Sequence, residues 1–226
     1  MSILNTMKWK LAQVLELMWW KRYLRNKEVS DYIVWKKNYW NNFVEEAGVR
    51  PYLKEGISVL DIGCGPAGIF ISLEEQKVTA VDPLIDNYEL NLKHFNKSHY
   101  SNVSFVSKAF EDFNPQKTFD VVFCLNAINH FKDFDYSLQK LQSHLNKGGI
   151  LVLSIDVHRF SLLKYIFRLI PGDMLHPHQH SRKDYLRLIE SLNKFKVFRH
   201  CVLEKGKIFN YEVLICRKKE EQISKN

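Results

Sequence analysis

Glycine and proline are scarce in this 226-residue chain, nine and six residues, which excludes a collagen-like or low-complexity polypeptide. Cysteine is scarce too: Cys64, Cys124, Cys201 and Cys216 show no CxxC or other zinc-ligand spacing. With no secretory signal pattern near the start, they read as reduced thiols of a cytoplasmic protein. No repeat of roughly 20–50 residues is visible, so a solenoid is not expected. The N-terminal stretch MKWKLAQVLELMWWKRY is interrupted by Lys8, Lys10 and Glu16 and falls short of the roughly 18 apolar residues of a membrane span. Acidic residues are in deficit, 25 Asp and Glu against 33 Lys and Arg, and the +8 balance points to an anionic partner, substrate or surface. Residues 1–50 hold nine of the basic and five of the acidic residues, which is half of that excess.

What is present suits one soluble α/β domain with a substantial core: 46% hydrophobic and 13% aromatic residues. From about residue 5 to 47 the pattern is helical, with Leu11, Val14, Leu15, Met18 and Trp19 in one stripe and Tyr32, Trp35 and Tyr39 in another. Ser30 and Asp31 are the expected N-cap between two helices, and Gly48 the expected end of the second. From Gly56 onward, ISVLDI, KVTAVD, VSFVS, DVVFCL and GGILVLSIDV read as strands buried on both faces. Helical stretches near 66–75, 85–96 and 134–146 alternate with them, which predicts a doubly wound parallel sheet. FKVFRHCVL and FNYEVLICR are too close for a crossover helix, so the last strand should run antiparallel. The expected organisation is a helical cover over 1–50, a core domain over 51–217 with an insertion at about 157–194, and a solvated tail over 218–226.

The most informative stretch is VLDIGCGPAGIF. Gly63, Gly65 and Gly68 fit G-x-G-x-x-G after a strand, where glycines permit a tight turn and close ligand approach. Asp82 ends the next strand, nineteen residues after Gly63, where a carboxylate accepts hydrogen bonds from ribose hydroxyls. Nicotinamide cofactors use the same fingerprint. Asp61, however, puts negative charge two residues before Gly63, which suits a cationic amino-acid or sulfonium group and disfavours a pyrophosphate.

VLDIGCGPAG, TAVDP, FVSKAFEDF, FDVVFCLNAINHFKD and LNKGGILVLS, in that order over residues 50–217, resemble the motif series of class I S-adenosylmethionine-dependent methyltransferases of the small-molecule type. The resemblance implies a Rossmann-like seven-stranded sheet with an antiparallel last strand. It implies S-adenosyl-L-methionine as cofactor, leaving S-adenosyl-L-homocysteine (SAH) as product. Asp61 and Gly63 would face the methionine part, with backbone from Cys64 and Gly65, and Asp82 would hold the ribose, with Pro83 beside it. Ala109 stands at a position that is usually acidic in the family, so the adenine edge falls to Glu111 or Asp112, with Phe110 as the apolar neighbour. Asn126 and Ala127, as cofactor contacts, and Asn129, as an acceptor contact, would lie in the segment that passes under the transferable methyl group. Acidic relatives of that segment are linked with a divalent cation, for which neutral amides are poor ligands, so no metal is expected.

Methyl transfer mainly requires alignment, and an acceptor that carries a proton needs a nearby base. His130 is the first candidate and His158 the second, the structural alternative for each being a hydrogen-bonded loop histidine. His176, His178 and His180 alternate within PGDMLHPHQH, where His176 and His178 are expected to line the substrate pocket and a metal site is the alternative. Tyr39 and Trp40 are candidate acceptor-binding aromatics, unless they only pack helix on sheet.

The function expected from these features is methyl transfer to oxygen or nitrogen of a small molecule. An RNA acceptor finds no Arg cluster or nucleic-acid module in its support. A lipophilic acceptor would use residues 1–27, whose Trp and Lys/Arg pattern fits an interfacial helix. A noncatalytic nucleotide-binding or membrane-surface protein is the alternative of a different class.

Overall fold

The computed structural model describes residues 3–128, 131, 134–158, 195–205 and 209–219. Two helices open the chain: α1 (Ile3–Leu24) and α2 (Val29–Ala47). The N-cap of α2 is Glu28, in place of the expected Ser30–Asp31 pair. Its carboxylate accepts from Ser30 N at 2.7 Å and Asp31 N at 3.3 Å, because its longer side chain reaches the orphan donors of the first turn. The Ser30 hydroxyl, which donates to the same carboxylate at 2.5 Å, and then those backbone bonds hold the Glu28 carboxyl down to about 2. Gly48 ends α2 as expected, its N–H bonded to Glu45 O.

The sheet comprises β1 (Ser58–Ile62), β2 (Lys77–Val81), β3 (Val103–Val106), β4 (Phe119–Leu125), β5 (Leu145–His158), β6 (Phe195–Lys205) and β7 (Phe209–Lys218). Their order is β3-β2-β1-β4-β5-β7-β6. The first five strands pair in parallel, and β7 inserts antiparallel between β5 and β6. The order reverses between β1 and β4, which opens a crevice at the carboxyl ends of those strands, where such sheets bind ligands.

Alternation of side chains divides the core into two layers. Val59, Val121, Phe123, Ile150, Val152, Val213 and Ile215 point to the layer that α2 covers with Tyr32, Trp40, Phe43 and Val44. Leu60, Ile62, Val122, Cys124, Leu151, Leu153, Leu214 and Cys216 point to the opposite layer, closed by Leu138 and Leu141 of α4 (Phe134–Ser143). Completely burying one such aliphatic side chain is worth about 1.5–3 kcal/mol, so the strands are held mainly by these two layers.

The helix expected near 66–75 is absent. Two short 3-10 turns, Gly65–Ala67 and Ile69–Ser72, stand there, separated by the extended backbone of Gly68. Gly68, with extended backbone two residues into the stretch, opposes a continuous α-helix, and the Phe70 N–H bonds to the Asp61 carboxylate instead; Pro66 stands in a first turn, where proline is tolerated. The stretch expected over 85–96 contains α3 (Ile85–Asn91), which ends where Leu92 turns extended. All four cysteines are free thiols. Among the described residues, no helix is long and apolar enough to cross a membrane.

Candidate functional site

The site grows from the turn between β1 and the first 3-10 turn. Gly63 has φ +64° and Gly65 φ +57°, a region L side chains seldom adopt. The Gly63 N–H bonds to Val81 O at 2.8 Å, fastening the turn to the end of β2. A Cβ on Gly63 would lie 2.4 Å from Ala127 Cβ, and one on Gly68 2.6 Å from an Asp61 carboxylate oxygen. Glycine is therefore required at 63 by conformation and space together, and at 68 by space.

Asp82 stands across from this turn. One carboxylate oxygen accepts from Gly65 N at 3.0 Å and the other from Leu84 N at 2.8 Å. Asp61, on β1, accepts from Phe70 N at 3.3 Å. Both carboxyls are nearly enclosed, with relative exposures of 2% for Asp61 and 5% for Asp82. Burial pushes each up to about 7; for Asp82 the charge of Glu16 adds to that push, while its two backbone N–H bonds resist it. Burial also raises the Glu16 carboxyl and the Cys64 thiol. Three acids thus converge beside the turn, and neither Asp61 nor Asp82 has a cationic side-chain partner among the described residues.

The cover helices bring in residues that the sequence motifs did not mark. Glu16 of α1 accepts from the Tyr88 hydroxyl of α3 at 3.1 Å, which brings α1 over the cluster. Trp20 reaches to 3.6 Å from where a Gly65 Cβ would stand. Trp40 of α2 is buried and donates from Nε1 to Ala67 O at 2.9 Å. Lys36 Nζ lies over the rings of Trp35, Tyr39 and Trp40 at 5.4, 4.7 and 4.9 Å. Burial lowers that amine to about 8. Tyr39 remains 37% exposed, at the rim of the aromatic group.

On the far side of the crevice, Asn126 follows β4 with φ +53°, the one positive φ at a residue other than glycine among the described residues. It is exposed, whereas Ala127 is buried against Gly63. Its N–H bonds to Ser154 O at 3.3 Å and Ser154 Oγ at 3.0 Å, and Tyr211 donates to the same hydroxyl at 3.0 Å. Ser154, a lone small polar residue within the apolar run GILVLSI, was the available sequence signal for this network.

Pro83 follows Asp82, its carbonyl accepting from Ser107 Oγ at 3.4 Å. Ala109 caps the 3-10 turn Phe110–Asp112, and Phe110 is buried, stacked on Phe131 at 5.4 Å. Lys140 Nζ bonds to the Glu111 carbonyl at 2.6 Å. Asp61, Gly63, Cys64, Gly65, Gly68 and Asp82 are brought together, with Ala127 against them, while Phe110 and Glu111 join the layer under α4. His158 ends β5 opposite Phe209, but its side chain, like Asn129, His130, His176, His178 and His180, lies outside the described residues. Among the described residues no group of three or more His, Cys, Asp or Glu could hold a metal ion.

Residues 33–200 match a family described as a methyltransferase domain. The chain is 26% identical over 161 residues to the ubiquinone biosynthesis O-methyltransferase of Rickettsia typhi, covering 68% of this chain and 64% of that protein. It is 25% identical over 120 residues to pavine N-methyltransferase of Thalictrum flavum subsp. glaucum, covering 51% of this chain and 34% of that one. Thus the chain spans between one third and just under two thirds of the length of these relatives. In fold it is similar to magnesium protoporphyrin IX methyltransferase from Synechocystis PCC 6803 with bound SAH. That likeness has a TM-score of 0.63 at 20% identity and covers 95% of this chain and 99% of that chain.

Proposed function

The chain belongs to the methyltransferase-domain family, and from that membership we propose that it transfers a methyl group from S-adenosyl-L-methionine to an oxygen or nitrogen of a small-molecule acceptor. The observation that carries this reading is the pair of buried carboxyls, Asp61 and Asp82, flanking a turn that has no room for a Cβ at Gly63 or Gly68. Buried carboxylates without a cationic partner are costly, and a ligand that brings its own positive charge and hydroxyl donors relieves that cost. The residues present therefore fit the cofactor: Asp82 would hold the ribose hydroxyls, Asp61 would face the cationic methionine end, and the Gly63–Gly65 backbone would lie alongside.

Bound there, S-adenosylmethionine would supply an electrophilic methyl group. The work of the chain's own residues is placement and exclusion of water. Trp20 and Trp40 close over the glycine turn. Tyr39 and Trp40 give the acceptor an aromatic wall, joined by Asn129, His176 and His178. For an acceptor that carries a proton, His130 and then His158 are assigned to take it. Four free thiols suit a reducing, cytoplasmic setting.

A second reading, with a lipophilic acceptor met at a membrane surface, is favoured by one observation. Leu11, Val14 and Met18 are exposed along one face of α1, in line with the exposed Arg22 and Arg25. Flotation with anionic liposomes, with and without residues 1–27, separates the two readings.

Calorimetry with S-adenosylmethionine and with SAH tests the cofactor assignment. Binding by the wild type and its loss in Asp82→Ala are expected; a folded protein that binds neither compound would refute the reading. Mass spectrometry of methyl transfer into a metabolite extract would then identify the acceptor.

A further inference from the structure

Tyr211 lies on β7, away from every motif of the cofactor turn, yet its hydroxyl is joined to the loop after β4 through one intermediary, Ser154. We propose that Tyr211 is a positioning residue for the acceptor half of the site. Through Ser154 it holds Asn126 so that the carboxamide N–H groups face an oxygen of the methyl acceptor. The proposal rests on the methyltransferase reading for the identity of that ligand, and on the hydrogen-bond geometry for everything else.

Ser154 is completely buried on β5 between Leu153 and Ile155, where a hydroxyl persists only if its hydrogen bonds are made. A serine hydroxyl has one proton and two acceptor sites. Asn126 N–H at 3.0 Å and Tyr211 O–H at 3.0 Å occupy the acceptor sites. Its own proton then goes to Asn126 Oδ1 at 3.4 Å. This assignment engages the carboxamide oxygen and fixes which way the amide points, with Nδ2 and its two hydrogens directed away from Ser154. Without the Tyr211 hydroxyl, Ser154 is free to turn its proton elsewhere, and the amide loses its fixed sense.

Backbone conformation supports the same role. Asn126 holds φ +53°, and its N–H is shared between the carbonyl and the hydroxyl of Ser154. Asparagine tolerates this left-handed region better than most residues, and the paired bonds keep it there. Tyr211 is itself steadied by Phe43 of α2, the ring centroids 6.3 Å apart. The cover helix, β7, β5 and the β4 loop are therefore joined in one line that ends at an exposed amide.

Position selects the acceptor over the cofactor. Asp61 and Asp82 lie at the ends of β1 and β2, on one side of the strand-order reversal; Asn126 follows β4, next to the Ala127 that packs on Gly63, and Ser154 and Tyr211 lie on β5 and β7, on the other side. Two N–H donors recognise a phenolate, carboxylate or carbonyl oxygen and offer nothing to an ammonium group.

The test uses the full-length protein saturated with SAH and follows the Asn126 side-chain amide by nitrogen-15 NMR, with Asn126→Asp identifying the signal by its loss. Catechol serves as the oxygen probe and benzylamine as the amine probe. Catechol is expected to shift the amide pair and benzylamine to leave it in place. Tyr211→Phe should weaken the catechol response by roughly three- to tenfold, the range of one neutral hydrogen bond, and Ser154→Ala by at least as much. SAH affinity should stay close to wild type in Tyr211→Phe. An equal response to benzylamine, no response to catechol, or an unchanged catechol response in both variants would overturn the proposal. Failure of the wild type to bind SAH would instead refute the cofactor reading, with the same titrations run without SAH still deciding the role of Tyr211.

Discussion

Trp40 Nε1 donates to the Ala67 carbonyl at 2.9 Å, a buried bond that fastens α2 to the glycine turn. The ring also packs edge-to-face on Phe43 of the same helix, with centroids 5.6 Å apart, so the contact with Phe43 orients the indole within α2 while its Nε1 reaches the turn. Trp40→Phe separates the two contributions. It keeps an aromatic ring and leaves the buried Ala67 carbonyl without its partner, at a cost of about 1–3 kcal/mol. Urea unfolding should show that loss, and calorimetry should show weaker SAH binding. Unchanged values in both would mean that the bond contributes nothing to holding the turn.

Gly63 and Gly56 separate backbone strain from steric fit. Both have positive φ, +64° and +75°, but a Cβ at Gly63 meets Ala127 Cβ at 2.4 Å, while one at Gly56 meets nothing within 4 Å. Gly56→Ala should therefore cost only the left-handed backbone penalty, about 1–2 kcal/mol, and leave cofactor binding intact. Gly63→Ala should cost more and abolish SAH binding, because the turn and the β4 loop must move apart. Comparable SAH affinity in the two variants would contradict this account.

Much of the fold was legible because strands buried on both faces announce themselves as short apolar runs, and because a gap too short for a helix forces the antiparallel β6–β7 pair. The convergence of Asp61, Gly63, Gly65 and Asp82 was legible because it depends only on strand ends and one turn. The 3-10 turns from Gly65 onward were missed: side-chain periodicity does not register the break at the extended Gly68. The connections of Glu16, Ser154 and Tyr211 were illegible for a different reason. Each bonds to a partner distant in sequence, Glu16 to Tyr88, Ser154 to Asn126 and Tyr211 to Ser154, and no spacing rule relates such pairs.

Binding of the cationic cofactor should strengthen as pH rises. Asp61 and Asp82 titrate near 7 in the folded protein against about 4 in an unfolded chain. A ligand that requires an ionised carboxylate competes with its proton, so affinity for S-adenosylmethionine should rise about tenfold per carboxyl between pH 6 and 8. Calorimetry in buffers of different ionisation enthalpy should detect proton release at pH 6. A flat profile would show that neither carboxyl ionises on binding.

Glu16→Gln should shift that profile toward acid. The charge of Glu16 helps to raise the Asp82 carboxyl, and a glutamine keeps a polar partner for the Tyr88 hydroxyl while removing the charge. The midpoint of the affinity–pH curve should fall, with little change in melting temperature near neutral pH. A midpoint that stays in place would remove Glu16 from the electrostatics of the site.

His144 should oppose the two carboxyls in the acid range. It is buried beside Phe110 and Phe113, at ring distances of 5.6 and 5.7 Å, and its Nε2 has no hydrogen-bond partner among the described residues. Burial, reinforced by Lys140, pushes the imidazole down to about 4, whereas in an unfolded chain it titrates near 6.5. Between those values the unfolded chain binds the extra proton, so this residue costs stability as pH falls through that window. For Asp61 and Asp82 the sign is reversed: the folded state holds protons that the unfolded chain has released, so the same fall in pH from 7 toward 4 adds stability. The wild-type profile over this range is the difference between the two effects. His144→Phe removes only the first, so the variant should gain stability relative to wild type on going from pH 7 to pH 5. Urea unfolding at the two pH values measures this directly, and an identical pH difference in both proteins would show that His144 is not buried as a neutral imidazole.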